Sequence, residues 1–153
     1  RPWLRNRLIF EITETAEITD AAHANALVQR LRQRGHPVCI DDFGAGAASF
    51  EYLVDIQVDV VKLDGKVINA AVNGERGRAF LAALCEFCRR LGVKSVAEMV
   101  ETRTHFFTAR TCGVDLVQGY FFGRPSPDTS EFSPLPNAGI FRRRCTRHSR
   151  RLC

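Results

Sequence analysis

Asp41 and Asp42 stand side by side at the end of an apolar run, Pro37-Val38-Cys39-Ile40. Four other short apolar runs end in the same manner. Glu11 and Glu14 close Arg7 to Thr13, and Lys62 and Asp64 close Val58 to Leu63. Glu98 and Glu101 follow Val93 to Ala97, and Gln118 closes Val114 to Val117. Unpaired carboxylates raise each other's pKa and repel. A cluster of acids around one lysine is stable when divalent cations sit among them, and Mg²⁺ and Mn²⁺ take carboxylate oxygens. Two such ions about 3.5–4 Å apart clamp the attacking and leaving oxygens of a phosphodiester. These residue types therefore suit metal-dependent hydrolysis of a phosphate ester. The plainer reading is that strand ends meet solvent and carry charge for that reason. It serves any one of these residues well, and all five runs together less well.

The elements that must position these side chains alternate between strand and helix. The runs ending at Thr13, Asp42, Leu63, Ala97 and Gln118 predict five strands. Between them, Asp20 caps a predicted helix through Leu27, Val28 and Leu31, stopped at Gly35. Phe43-Gly44-Ala45-Gly46 reads as a turn before a short helix from Ser49 to Val54. A longer helix covers Arg76 to Leu91 with Gly92 behind it, and another covers Arg103 to Cys112 with Gly113 as its stop. Alternation with short connections means parallel βαβ units. All strand carboxyl ends then share one face, the face on which such folds place their sites.

Composition narrows the class. The 153 residues are 45% hydrophobic and 25% charged, as in ordinary globular domains. No apolar run approaches the roughly 18 residues of a membrane span, and no signal-peptide pattern opens the chain, so a cytoplasmic location is expected. The formal net charge is +5, but residues 129–153 carry six Arg and one Glu, which leaves residues 1–128 neutral. The body therefore lacks the charge of a nucleic-acid-binding domain, and the chain divides into a folded part, 1–128, and a basic, disordered tail, 129–153. A basic arm binding nucleic acid or anionic lipid is the functional alternative for that tail. The six Cys read as reduced thiols. Cys85 and Cys88 form a CxxC within a helical pattern but lack two further zinc ligands, so buried helix thiols are the expectation. His23, His36, His105 and His148 receive no catalytic role. Phe121 and Phe122 are read as packing, with guanine stacking as the alternative.

Five segments together resemble one family. Glu11-Ile12-Thr13-Glu14 is similar to its E-[IL]-T-E segment, and Asp41-Asp42-Phe43-Gly44-Ala45-Gly46-Ala47-Ala48-Ser49 to its DDFGTGYSS loop. Val58 to Asp64 resembles VDxxKID, Val96 to Thr102 resembles VAEGVET, and Gln118 to Pro125 matches QGYxFGRP. The chain is thereby identified, over about residues 5–128, as similar to the EAL domain, the bacterial cyclic di-GMP phosphodiesterase of second-messenger signalling. The resemblance implies an α/β fold of the (β/α)₈ TIM-barrel type, represented by roughly its last five β/α units, with two Mg²⁺ or Mn²⁺ ions. By position, Glu11 binds one metal, Asp41 bridges both, and Asp42 binds the second. Glu98 binds the second metal or assists as base, and Lys62 orients or helps deprotonate the attacking water. Glu14 holds the loop after Asp42, through which a homodimer is implied. Asp64, Glu101 and Gln118 support the substrate and the groups behind the ligands. A sensory or cyclase domain upstream is also implied, and with it the option that the chain is the cytoplasmic part of a membrane-linked protein.

The departures are specific. A barrel of this type takes about 250 residues, so the remaining strands, with the Glu-x-Leu motif itself, an Asn ligand and a substrate-gripping Arg, are expected before Arg1. Five strands alone leave two open edges and an uncovered interior. Ala45, Ala47 and Ala48 stand where the family has Thr, Tyr and Ser, and Met99 where it has Gly. Met99 is strained if the backbone there takes a positive φ. The rival functional readings are a module that binds cyclic di-GMP or a partner protein without turnover, and a remnant with no function alone.

Overall fold

The computed structural model describes residues 8–13, 21–44 and 50–126. The predicted cap Asp20, Glu14, the alanines at 45, 47 and 48, and the tail 129–153 lie outside these residues. The described chain runs β1 (Phe10–Thr13), α1 (Ala21–Gln33), β2 (Val38–Phe43), α2 (Phe50–Asp55), β3 (Val60–Leu63), α3 (Gly65–Asn73), α4 (Glu75–Leu91), β4 (Lys94–Ala97), α5 (Arg103–Cys112) and β5 (Leu116–Val117). The strands form one parallel sheet in the order β1-β2-β3-β4-β5. All five expected strands are present, joined by helical crossovers, as an arc of a β/α barrel.

The helix stops expected from sequence are in place. Gly92 (φ 75°) and Gly113 (φ 90°) end α4 and α5 in the left-handed conformation that only glycine adopts at little cost. The amides of Val93 and Val114 then reach back to the carbonyls of Cys88 and Ala109. Thr102 opens α5 by accepting from the His105 amide. One helix, α3, has no counterpart among the helices expected from sequence. Asp64 caps it by accepting from the Lys66 amide at 2.7 Å, and its Val67, Ile68 and Ala71 are buried. Gly65 at its first turn and Gly74 at its end make the segment read as a loop, which hides the apolar spacing.

The helices cover one face of the sheet. Val61, Leu63, Ser95 and Ala97 are buried beneath Ile68, Leu81, Leu84 and Cys88. A fully buried side chain of this size contributes about 1.5–3 kcal/mol. The alternate residues Val60, Lys62 and Val96 face the other way and are only half-buried. A parallel sheet is ordinarily covered on both faces; here, among the described residues, the concave face is partly open and β1 and β5 are edges.

At the amino ends of the strands, acids act as stitches. Asp59 accepts from the Val38 amide at 2.9 Å and pairs with Arg32 at 3.0 Å, tying β2 to β3. Asp115 accepts from the amide and hydroxyl of buried Ser95 at 3.0 and 2.9 Å, tying β4 to β5. No helix among the described residues is long and apolar enough to cross a membrane.

Candidate metal centre

At the opposite rim, four strands bring one group each to a common point. Lys62 on β3 is central. Its Nζ lies 2.6 Å from Asp41 Oδ1 on β2, 2.9 Å from Glu98 Oε1 just past β4, and 3.5 Å from Glu11 Oε2 on β1. The side chains of Lys62, Asp41 and Glu98 retain only 13%, 17% and 15% of their exposure, and that of Glu11 retains 46%. Charges that merely meet solvent at strand ends would not be this covered. Partial burial pulls the Lys62 pKa down, but the hydrogen bonds and charges of Asp41 and Glu98 more than offset it and leave it above the ordinary lysine value.

The backbone explains how two adjacent aspartates serve one site. In a regular strand, neighbouring side chains point to opposite faces. Between Ile40 and Phe43, β2 slips against β3: Ile40 pairs with Val61, but Phe43 pairs with Leu63. Three steps on β2 match two on β3, a bulge of one residue, and Asp42 takes φ 55° within it. The Asp42 amide donates to Asp41 Oδ1 at 3.1 Å. Asp41, Asp42 and Glu98 thereby offer carboxylate oxygens all within 4.8 Å of one another. This all-oxygen donor set fits Mg²⁺ or Mn²⁺. Glu11 stands across Lys62 and is not part of that three-carboxylate group.

Behind the acids lies Cys39. Burial first, and then the charge of Glu11, push its thiol up to about 12, so it stays protonated and supplies no thiolate. Cys85 and Cys88 are buried on α4.

Beside the carboxylates opens a cavity of about 300 Å³. Asp42, Glu98 and three further residues singled out in the sequence line it: Asp64, Glu101 and Gln118. Asp64 also caps α3, and the Glu101 amide donates to His105 Nδ1 at 3.3 Å. Gln118 is held by its backbone, its amide to Ala97 and its carbonyl from Val100. Tyr120 and Met99 line the same cavity, which no feature of their sequence surroundings announces. Met99 is at φ 52°, the strained conformation its position had raised as a question. Phe121 stacks on Phe106 at 5.9 Å, and Phe122 meets both rings edge-on, which accounts for them as packing.

A parallel sheet with helical crossovers and its ionisable groups gathered at the carboxyl rim is part of a β/α-barrel domain. Residues 1–125 match the EAL domain family, and the chain belongs to that family. It is 40% identical over 119 residues to the cyclic di-GMP phosphodiesterase PdeB of Shewanella oneidensis, covering 77% of this chain and 14% of that protein. It is 35% identical over 132 residues to the cyclic di-GMP phosphodiesterase PdeF of Escherichia coli, covering 84% and 18%. Among solved structures, it resembles a standalone EAL protein of Vibrio cholerae O395 in its cyclic di-GMP-bound form (TM-score 0.72, 30% identity, 77% of this chain and 50% of that one). It also resembles Klebsiella pneumoniae BlrP1 in a manganese and cyclic di-GMP complex (TM-score 0.72, 33% identity, 82% and 31%). The chain thus spans less than a fifth of these curated relatives and half or less of these solved chains.

Proposed function

We propose that this chain supplies the metal-binding rim of a phosphodiesterase that hydrolyses cyclic di-GMP to the linear dinucleotide. The observation that carries the reading is the convergence of Asp41, Asp42 and Glu98 within 4.8 Å beside the Lys62 ammonium. Asp41, Asp42 and Glu98 would hold Mg²⁺ or Mn²⁺, and Glu11, across Lys62, would add a further carboxylate. The metals would supply an activated water and neutralise charge developing on the phosphoryl oxygens. Lys62 donates to Asp41 and Glu98, fixing both carboxylates, and orients the water for attack on phosphorus. Glu98, half-buried and lining the cavity, would bind the second metal or assist as the base that receives the proton of the attacking water. One phosphorus–oxygen bond of the ring breaks, and the departing sugar oxygen is protonated from solvent. Asp64, Glu101 and Gln118 line the space in which the dinucleotide sits. The named activities of PdeB and PdeF, and the ligand in the Vibrio and Klebsiella structures, support this substrate.

The setting proposed with it is bacterial second-messenger signalling in the cytoplasm, downstream of a sensory or cyclase domain. A homodimer through the segment after Asp42 belongs to the same reading. An exposed aromatic patch of Phe50 and Phe80 beside α2 supports it, and light scattering of a Phe80→Glu variant, expected to be monomeric, tests it. A second reading, binding of cyclic di-GMP without turnover, is favoured by one observation: Glu11 stands apart from the three-carboxylate group. Turnover assays on the intact protein with Mg²⁺ or Mn²⁺ separate the two. Hydrolysis that Asp41→Asn abolishes supports catalysis, and saturable binding with no product supports the binding module.

A further inference from the structure

Met99 combines three features that a packing residue does not need. Its backbone sits at φ 52°, a conformation that costs a non-glycine residue energy and that collects at functional sites. The residue is 56% exposed although its side chain is apolar. And it lines the same cavity as Glu98, a carboxylate of the proposed centre.

The side chain is also held in place. Gly65, the first residue of α3, has no Cβ, and a Cβ built there would lie 2.6 Å from Met99 Sδ and 2.9 Å from Met99 Cβ. The thioether therefore fills the notch left by a glycine, with one flank on α3 and the other on the cavity. A polarisable, unbranched thioether in such a place suits the flat face of a heterocycle.

We propose that Met99 is a substrate-contacting residue: lodged against Gly65, its exposed flank forms the apolar wall on which one purine face of the cyclic dinucleotide rests. This rests on the phosphodiesterase reading, and it assigns to Met99 a contribution to binding and not to the chemical step. Removing the wall raises KM and leaves kcat nearly unchanged, the pattern of lost uniform binding.

The test uses the intact protein with Met99→Leu, Met99→Gly and Met99→Asn. Leucine keeps the apolar bulk and the strain. Glycine and asparagine tolerate a positive φ but remove the wall. The expected result is a KM for cyclic di-GMP within about twofold of the parent for Met99→Leu, and about tenfold or more above it for the other two, the scale of a missing methylene contact in a pocket. Equilibrium binding of cyclic di-GMP should weaken in parallel, while the melting temperatures of Met99→Gly and Met99→Asn rise. Unchanged KM and binding in Met99→Gly and Met99→Asn, with only their melting temperatures raised, overturns the proposal and leaves Met99 a strained surface residue. If the parent protein hydrolyses cyclic di-GMP, that failure belongs to Met99 alone. If the parent neither hydrolyses nor binds it, the functional reading falls and this proposal with it.

Discussion

Asp41 and Asp42 are sequence neighbours on one strand, yet their carboxylates converge within 4.8 Å of each other and of Glu98. The register slip between Ile40 and Phe43 and the φ of 55° at Asp42 make this possible. The bulge thus links a local backbone cost to the density of negative charge that a divalent cation requires.

That link separates backbone from ligand at position 42. Asp42→Gly should keep or raise stability, by up to about 1 kcal/mol, because glycine removes the left-handed penalty. It should nonetheless weaken Mn²⁺ binding, read by the loss of the free-ion paramagnetic signal in titrations. Asp42→Val should lose both, with stability down by about 1–3 kcal/mol. Equal Mn²⁺ affinity in Asp42→Gly and the parent would remove Asp42 from the metal set.

A second expectation concerns the turn behind the cavity. A Cβ on Gly119 would lie 2.3 Å from the backbone nitrogen and oxygen of Val100, and neither can move aside as a side chain would. Gly119→Ala should therefore cost about 1–3 kcal/mol by overpacking. Denaturant unfolding measures it, and an unchanged midpoint would show that the two segments do not approach so closely.

Much of this was legible in advance, and the reasons differ by element. The strands were legible because β-branched runs bounded by turn residues have few other uses, and α4 and α5 because Gly92 and Gly113 mark their ends. The site was legible because its residues lie at strand ends, where spacing along the chain translates into position on one rim. α3 was not, because Gly65 and Gly74 mimic loop punctuation and its buried residues Val67, Ile68 and Ala71 are too few to set a period. Nor was the role of Tyr120 and Met99 in the cavity, since contact between the turn after β5 and the turn after β4 depends on how far each strand runs before it bends. The bulge at Asp42 was equally hidden, for the sequence carries no glycine there to announce a positive φ.

The acids of the two rims should behave differently when removed. Asp115→Ala leaves the amide and hydroxyl of fully buried Ser95 without their acceptor. An unsatisfied buried donor costs about 1–3 kcal/mol, so the variant should melt several degrees lower. Its Mn²⁺ affinity should not change, because Asp115 stands at the other end of the sheet. Loss of metal binding in this variant would contradict that division of labour.

The buried thiols set an alkaline limit to stability. Burial first of all pushes Cys39 and Cys85 up to about 12 and Cys88 up to about 11, against an ordinary value of 9.0. Above pH 9 the unfolded chain releases these protons and the folded chain keeps them, so the unfolded state binds fewer protons and stability falls as pH rises. Below pH 9 the contribution is fully present; between about 9 and 12 it is lost, at up to about 1.4 kcal/mol per pH unit for each thiol. Urea unfolding from pH 8 to 10.5 should show the decline, and Cys88→Ala should make it shallower. A flat profile would mean that these thiols ionise as freely in the fold as outside it.

The carboxylates gathered around Lys62 are proposed to hold divalent metal for the hydrolysis of cyclic di-GMP. The most direct measurement follows the linear dinucleotide formed by the intact protein and by its Asp41→Asn variant, with Mg²⁺ or Mn²⁺ and again with a chelator. Product is expected from the parent, none with the chelator, and a loss of about 100-fold or more in Asp41→Asn, the scale on which catalytic sites lose rate when a placed group is removed. Equal turnover by the parent and the variant, or turnover that persists in the chelator, would contradict it.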